Sequence, residues 1–133
     1  MAEEITLPRT GDRPLAFTGE LLAQEETKWW AGKESNRWHK LALYRTAGDR
    51  WVLAIGYRTQ WEGEVDHDEV FVCATAEEAA ECLRSTIPTE HLRGFPPGDQ
   101  WAEKQSRLER DMTDRFLAAA SRILKELGPE RID

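Results

Sequence analysis

The chain has no uncharged apolar run longer than Trp51–Tyr57, whereas a helix that crosses a bilayer needs roughly 20 such residues. A helical membrane span is therefore not expected. Cysteine is scarce. Cys73 and Cys82 are the only two, and they make neither a C-x-x-C zinc spacing nor a disulfide framework. Both fall inside apolar strand and helix patterns, which predicts buried, inert thiols. The opening Met1-Ala2-Glu3-Glu4 is acidic and lacks an apolar core, so it does not read as a signal peptide, and a reduced, cytoplasmic protein is expected. No serine sits in a G-x-S-x-G elbow, and neither G-x-G-x-x-G nor G-x-x-x-x-G-K-[ST] occurs. No catalytic residue and no cofactor are therefore expected. Bases are outnumbered, with 18 Lys and Arg against 25 Asp and Glu and a pI near 5.1. That leaves no basic footprint for direct nucleic-acid binding.

What is present suits one globular domain: 133 residues, 40% hydrophobic and 32% charged. The surplus charge is local. Residues 62–81 hold eight acids and no Lys or Arg, and the rest of the chain is almost balanced. Glu62, Glu64, Asp66, Asp68 and Glu69 open that block, an expected contact surface for a cationic protein partner. The competing reading is a solvated hairpin tip followed by an exposed helix face.

Residues 1–14 mix charge with Pro8, Gly11 and Pro14 and read mainly as a flexible lead-in, although Ile5-Thr6-Leu7 could make a short strand. From Leu15 the alternation of Phe17, Gly19, Leu21 and Ala23 predicts a strand. Residues 38–46 and 51–59 form the clearest hairpin. Placing Gly48-Asp49 at the centre of a type II′ turn would set Thr46 opposite Trp51. His39, Leu41 and Leu43 would then share a face with Val52, Ala54 and Gly56, and both faces of the ribbon would be covered. A fourth strand is expected around Val70–Cys73. Thr75-Ala76-Glu77-Glu78 is a capping box that should start a helix ending near Ser85. After an irregular linker rich in Pro and Gly, Asp99 is a plausible cap for a long helix to Leu127. Its stripe runs through Trp101, Leu108, Met112, Phe116, Ala119, Ile123 and Leu127, widened by Leu117, Ala120 and Leu124. The expected fold is α+β: a four-stranded antiparallel meander packed by a short helix and a long C-terminal amphipathic helix, one domain over 15–133.

Two constellations could carry function. Asp66, His67 and Asp68 offer oxygen and imidazole ligands for a divalent ion, although one His among carboxylates is more often just a charged loop. The six tryptophans are the other. Trp51 and Trp101 read as core, while Trp29, Trp30, Trp38 and Trp61 fall near strand ends and loops, where large amphipathic rings anchor interfaces.

Three segments together resemble a known family: Glu4-Ile5-Thr6 with Phe17-Thr18-Gly19-Glu20-Leu21-Leu22-Ala23, then Leu43-Tyr44-Arg45-Thr46-Ala47-Gly48-Asp49-Arg50-Trp51, and Glu130-Arg131-Ile132-Asp133. The chain resembles the EXLDI proteins, small bacterial proteins of unknown biochemical role named for a C-terminal motif. The likeness runs over residues 4–59 and the C-terminal Glu-x-Ile-Asp, where Ile stands for Leu and the closing Ile is missing. It implies no catalytic residues. Some members carry an N-terminal helical region of DNA-binding type, which this chain is not expected to have. Taken together, the expectation is a non-catalytic binding or regulatory module. It would act through protein–protein contacts or as a homodimer, using the spare sheet face, the tryptophan edge and the acidic block. The alternative is a metal-dependent enzyme using Asp66, His67 and Asp68.

Overall fold

The computed structural model describes residues 2–27, 36–93, 98–130 and 132. Five antiparallel strands follow one another in chain order across a single sheet: β1 (Glu3–Leu7), β2 (Leu15–Glu26), β3 (Arg37–Thr46), β4 (Trp51–Thr59) and β5 (His67–Cys73). Among the described residues two helices follow, α1 (Ala76–Ser85) and α2 (Asp99–Glu126). The α+β class and the meander are as expected, but the sheet has five strands rather than four. The segment read as a flexible lead-in contains β1, with Ile5 opposite Phe17 and Leu7 opposite Leu15. Beyond β1 the chain reaches the far edge of the sheet. Thr10 donates its backbone N–H to the Asp68 carbonyl (2.9 Å), and its hydroxyl accepts from the Asp68 N–H (2.7 Å). The sheet is thereby curled, with its first and fifth strands tied at one corner.

The central hairpin is shifted by one residue from the type II′ register. Arg45, not Thr46, lies opposite Trp51. Thr46 instead exchanges backbone bonds across a three-residue loop: its N–H donates to Arg50, and its carbonyl accepts from Asp49. The left-handed residue that closes this loop is Asp49 (φ 65°), a conformation that Asp tolerates better than most residues. Moving the positive φ from Gly48 to Asp49 adds one residue to the loop. Because side chains alternate, it also reassigns every face. His39, Leu41, Leu43, Leu53, Ile55 and Tyr57 now share one side, and Lys40, Ala42, Tyr44, Val52, Ala54 and Gly56 the other. A bulge in β2 works the same way. Leu21 faces Tyr44 but Ala23 faces Leu43, so the even alternation from Phe17 to Ala23 breaks and Ala23 turns to the helical side.

The helices cover only that side. Thr75 caps α1, its hydroxyl accepting from the Glu78 N–H (3.1 Å), while the Glu78 carboxylate accepts from the N–H of Ala74 rather than Thr75. Gly98 occupies the N-cap of α2, which places Asp99 inside the first turn. There its charge opposes the positive end of the helix dipole. The core joins Leu41, Leu43, Leu53 and Ile55 of the sheet to Leu83 of α1 and to Phe116, Ala119, Ala120 and Ile123 of α2. Burial along α2 starts only at Met112, and Leu117 is 58% exposed rather than part of the dry stripe. Trp51 packs at the core margin beneath Arg45, whose guanidinium lies 4.2 Å from the ring centre. Among the described residues no helix is long and apolar enough to cross a membrane.

Candidate metal centre

All three histidines of the chain meet at one corner of the helical side. Strand alternation puts His67 and Glu69 of β5 on the same face, opposite Tyr57 and Ile55 of β4. His39 of β3 lies opposite Tyr57 on the other flank. His91 comes from the turn-rich segment after α1, where the chain folds back over the sheet. The imidazoles of His67 and His91 lie 4.0 Å apart between ring centres, and His67 Nε2 is 3.2 Å from Glu69 Oε1. One ligand atom from each of His67, Glu69 and His91 falls within 4.8 Å of the others. A cavity of about 20 Å³ opens beside them, bounded also by His39, Tyr57 and Glu90. That is room for one water-sized occupant.

The charge states of His39 and His91 bear on metal binding. His39 is 4% exposed and its pKa is pushed down to about 4, first by burial and then by the neighbouring His91. His91 is also lowered, by partial burial and by His67 beside it. Near neutral pH both rings are uncharged, and an uncharged imidazole has one lone pair to give. Of the two, His91 lies within the ligand set, whereas His39 makes edge contacts with Tyr57 (5.4 Å) and Phe116 (5.1 Å). Two imidazole nitrogens and one carboxylate oxygen match zinc and its first-row neighbours better than calcium or magnesium, which take oxygen. The ligand atoms of a tetrahedral zinc lie about 3.4 Å apart, so side-chain movements of about an ångström would close this set.

Beneath the cluster lies a buried ion pair. The Glu64 side chain has no exposed surface. It accepts from the Arg37 guanidinium (2.9 Å to Nε), the Tyr57 hydroxyl (2.7 Å), the Thr59 hydroxyl (2.9 Å) and the Arg93 N–H (3.1 Å). Burial alone would raise the Glu64 carboxyl, but hydrogen bonds from Arg37, Tyr57, Thr59 and Arg93 bring it below the ordinary range. The Tyr57 hydroxyl shifts upward, through burial and then through its bond to Glu64. This network ties β3, β4 and the 64–93 segments together, and so holds His91 against His67.

The acidic residues expected to act as one surface are thus separated. Glu64 is internal. Asp68 faces the other side of the sheet and accepts from Arg58 (2.7 Å), while Asp66 accepts from the Thr59 N–H (3.0 Å) and approaches Arg58 (4.0 Å). Asp66, His67 and Asp68 therefore do not make one ligand set, because neighbouring strand residues point to opposite faces. His67 remains in the cluster with Glu69, and Glu62 is exposed. Of the tryptophans, Trp61 is 48% exposed with the Arg37 guanidinium 4.7 Å over its ring, and Trp38 is half-buried. Trp29 and Trp30 lie outside the described residues. A strand reading of His67-x-Glu69 could have paired those two ligands. Nothing local pointed to His91.

No family model, curated protein or solved structure matches the chain.

Proposed function

We propose that this chain is a non-catalytic binding module, related to the EXLDI proteins, whose ligand is a divalent first-row transition-metal ion held by His67, Glu69 and His91. The observation that carries this reading is the convergence of those three ligand atoms within 4.8 Å. His91 comes from a part of the chain separate from the strand that carries His67 and Glu69, and all three lie beside a cavity large enough for one ion or water. Three protein ligands leave a fourth position for water or for a group donated by a partner. The test is thermal unfolding and calorimetric titration of chelator-treated protein with Zn²⁺ and Ni²⁺. A folded-state ligand at a hundredfold excess over its dissociation constant adds about 2.7 kcal/mol of stability. That gain should vanish in His67→Ala and His91→Ala and survive in Asp66→Asn. No stabilisation, or the same stabilisation in all three variants, removes the metal reading.

A second reading, self-association, rests on the sheet side away from the helices. Leu21 (44% exposed) and Val72 (47%) stand out there. Val72 helps line an open groove of about 380 Å³ with Phe17 and Val52. A second copy of the chain would cover this apolar strip. Light scattering after gel filtration at low and high salt tests it. A particle of twice 15.3 kDa that Val72→Glu converts to the single mass supports the reading, and a strict monomer ends it.

A further inference from the structure

We infer that the side of the sheet away from the helices holds a small carboxylic acid with a single ring, in a cavity separate from the metal cluster. The two central strands differ sharply between their faces. Toward the helices they carry Leu41, Leu43, Leu53 and Ile55, and on the other side Ala42, Ala54 and Gly56. These small residues hollow the middle of the curled sheet. Leu7, 9% exposed, and Pro8 close over the hollow as the chain passes from β1 to its bonds with Asp68. The result is a cavity of about 170 Å³ with Ala42, Ala54 and Val70 among its lining residues and Tyr44 beside them. An apolar cavity of about 150 Å³ is enough to take up benzene, so this one suits one six-membered ring.

The polar groups at this cavity select the charge of its occupant. Arg58 is already matched by Asp68 at 2.7 Å. The pair lies flat over Gly56, where an added Cβ would come within 3.0 Å of the Asp68 carboxylate and 3.1 Å of the Arg58 guanidinium. Glu69 also borders the cavity, but its carboxylate turns to His67 on the helical face. Lys40, an exposed residue on the lining, has no ion-pair partner among the described residues. The cavity thus joins an apolar floor to one uncompensated ammonium group. An apolar body with a single carboxylate complements both, and a neutral ring complements only the first.

The experiment titrates the full chain with benzoate and, separately, with benzyl alcohol, read by calorimetry and by amide chemical shifts. Benzoate should saturate at a dissociation constant in the millimolar range or tighter, as expected for so small a ligand. It should bind at least about tenfold more tightly than the alcohol. Lys40→Met should remove that preference and leave the alcohol unchanged. Ala54→Leu should fill the cavity and abolish both, with Val70→Phe as a second filling variant should Ala54→Leu not fold. Chemical shifts should move at Ala42, Ala54 and Val70 and not at His67 or His91. Absence of saturation, equal affinity for the two probes, or undiminished binding in a folded cavity-filled variant overturns the inference.

Discussion

Replacing Glu64 by Gln would separate an internal carboxylate from a surface one. The side chains of Glu64 and Arg37 are 0% and 6% exposed, and the carboxylate makes five further hydrogen-bond contacts besides the shortest one to Arg37. Gln keeps the shape but removes the charge that balances Arg37, and its amide cannot accept from all these donors. Breaking a buried pair from one side costs about 3–5 kcal/mol, whereas an exposed pair is worth about 0–1 kcal/mol. At roughly 4 °C per kcal/mol, the melting temperature should fall by on the order of 10–20 °C. Urea denaturation at neutral pH would measure the difference, and Arg37→Met combined with Glu64→Gln should recover part of it. The sign with pH follows from the depressed Glu64 carboxyl. Its contribution is fully present above the ordinary carboxylate pKa and is lost as pH falls through the lower, folded value. A loss below about 1 kcal/mol, with no change in acid sensitivity, would show that Glu64 belongs to the surface after all.

Three further outcomes follow from particular contacts. His39 stays neutral in the folded chain down to about 4 but takes a proton near 6.5 when unfolded, so stability should fall with pH across that window by roughly 3 kcal/mol; His39→Phe should flatten that part of a stability–pH curve, and an unchanged slope would contradict the assignment. Gly19→Ala should destabilise the fold by several kcal/mol in urea denaturation, because the new Cβ would sit 2.4 Å from the Arg45 carbonyl oxygen; a near-neutral effect would mean that β2 and β3 are not so close there. Cys73 is 2% exposed with its thiol pushed up to about 12, chiefly by burial and then by Cys82 at 4.0 Å, so it should react with a thiol reagent only as fast as the chain unfolds, and rapid labelling of both thiols would refute its burial.

Legibility in the sequence followed the range of the interactions involved. The helix at Ala76–Ser85 was readable because Thr75 and Glu78 announce its first turn within four residues. The long helix was readable from the recurrence of Met112, Phe116, Ala119 and Ile123. The apolar spacing continues through Trp101 and Leu108 although burial begins only at Met112, because periodicity does not say where the sheet ends. β1 leaves little trace in the sequence, since five residues carry little periodicity and its strand character depends on pairing with residues such as Phe17 and Leu15. The hairpin was found, but its register turned on whether Gly48 or Asp49 took the positive φ. Both residues allow it, so local chemistry alone left the choice open.

The candidate site shows the same division. Periodicity by itself determined an antiparallel meander with two trailing helices, because strand and helix patterns are set by side chains a few positions apart. Which face each strand turns to the core required the packed structure. There, one turn residue decides whether Leu41 shares its face with Ile55 or with Gly56, and one bulge turns Ala23 to the helices. The meeting of His67, Glu69 and His91 required it too. His91 lies in a segment with no periodic pattern, and, two residues on, Arg93 is bonded through its backbone to the buried Arg37–Glu64 pair, while His91 itself packs against Tyr57 and His67. A contact between residues far apart in sequence is settled by the total packing free energy, and no short stretch of chain contains that quantity.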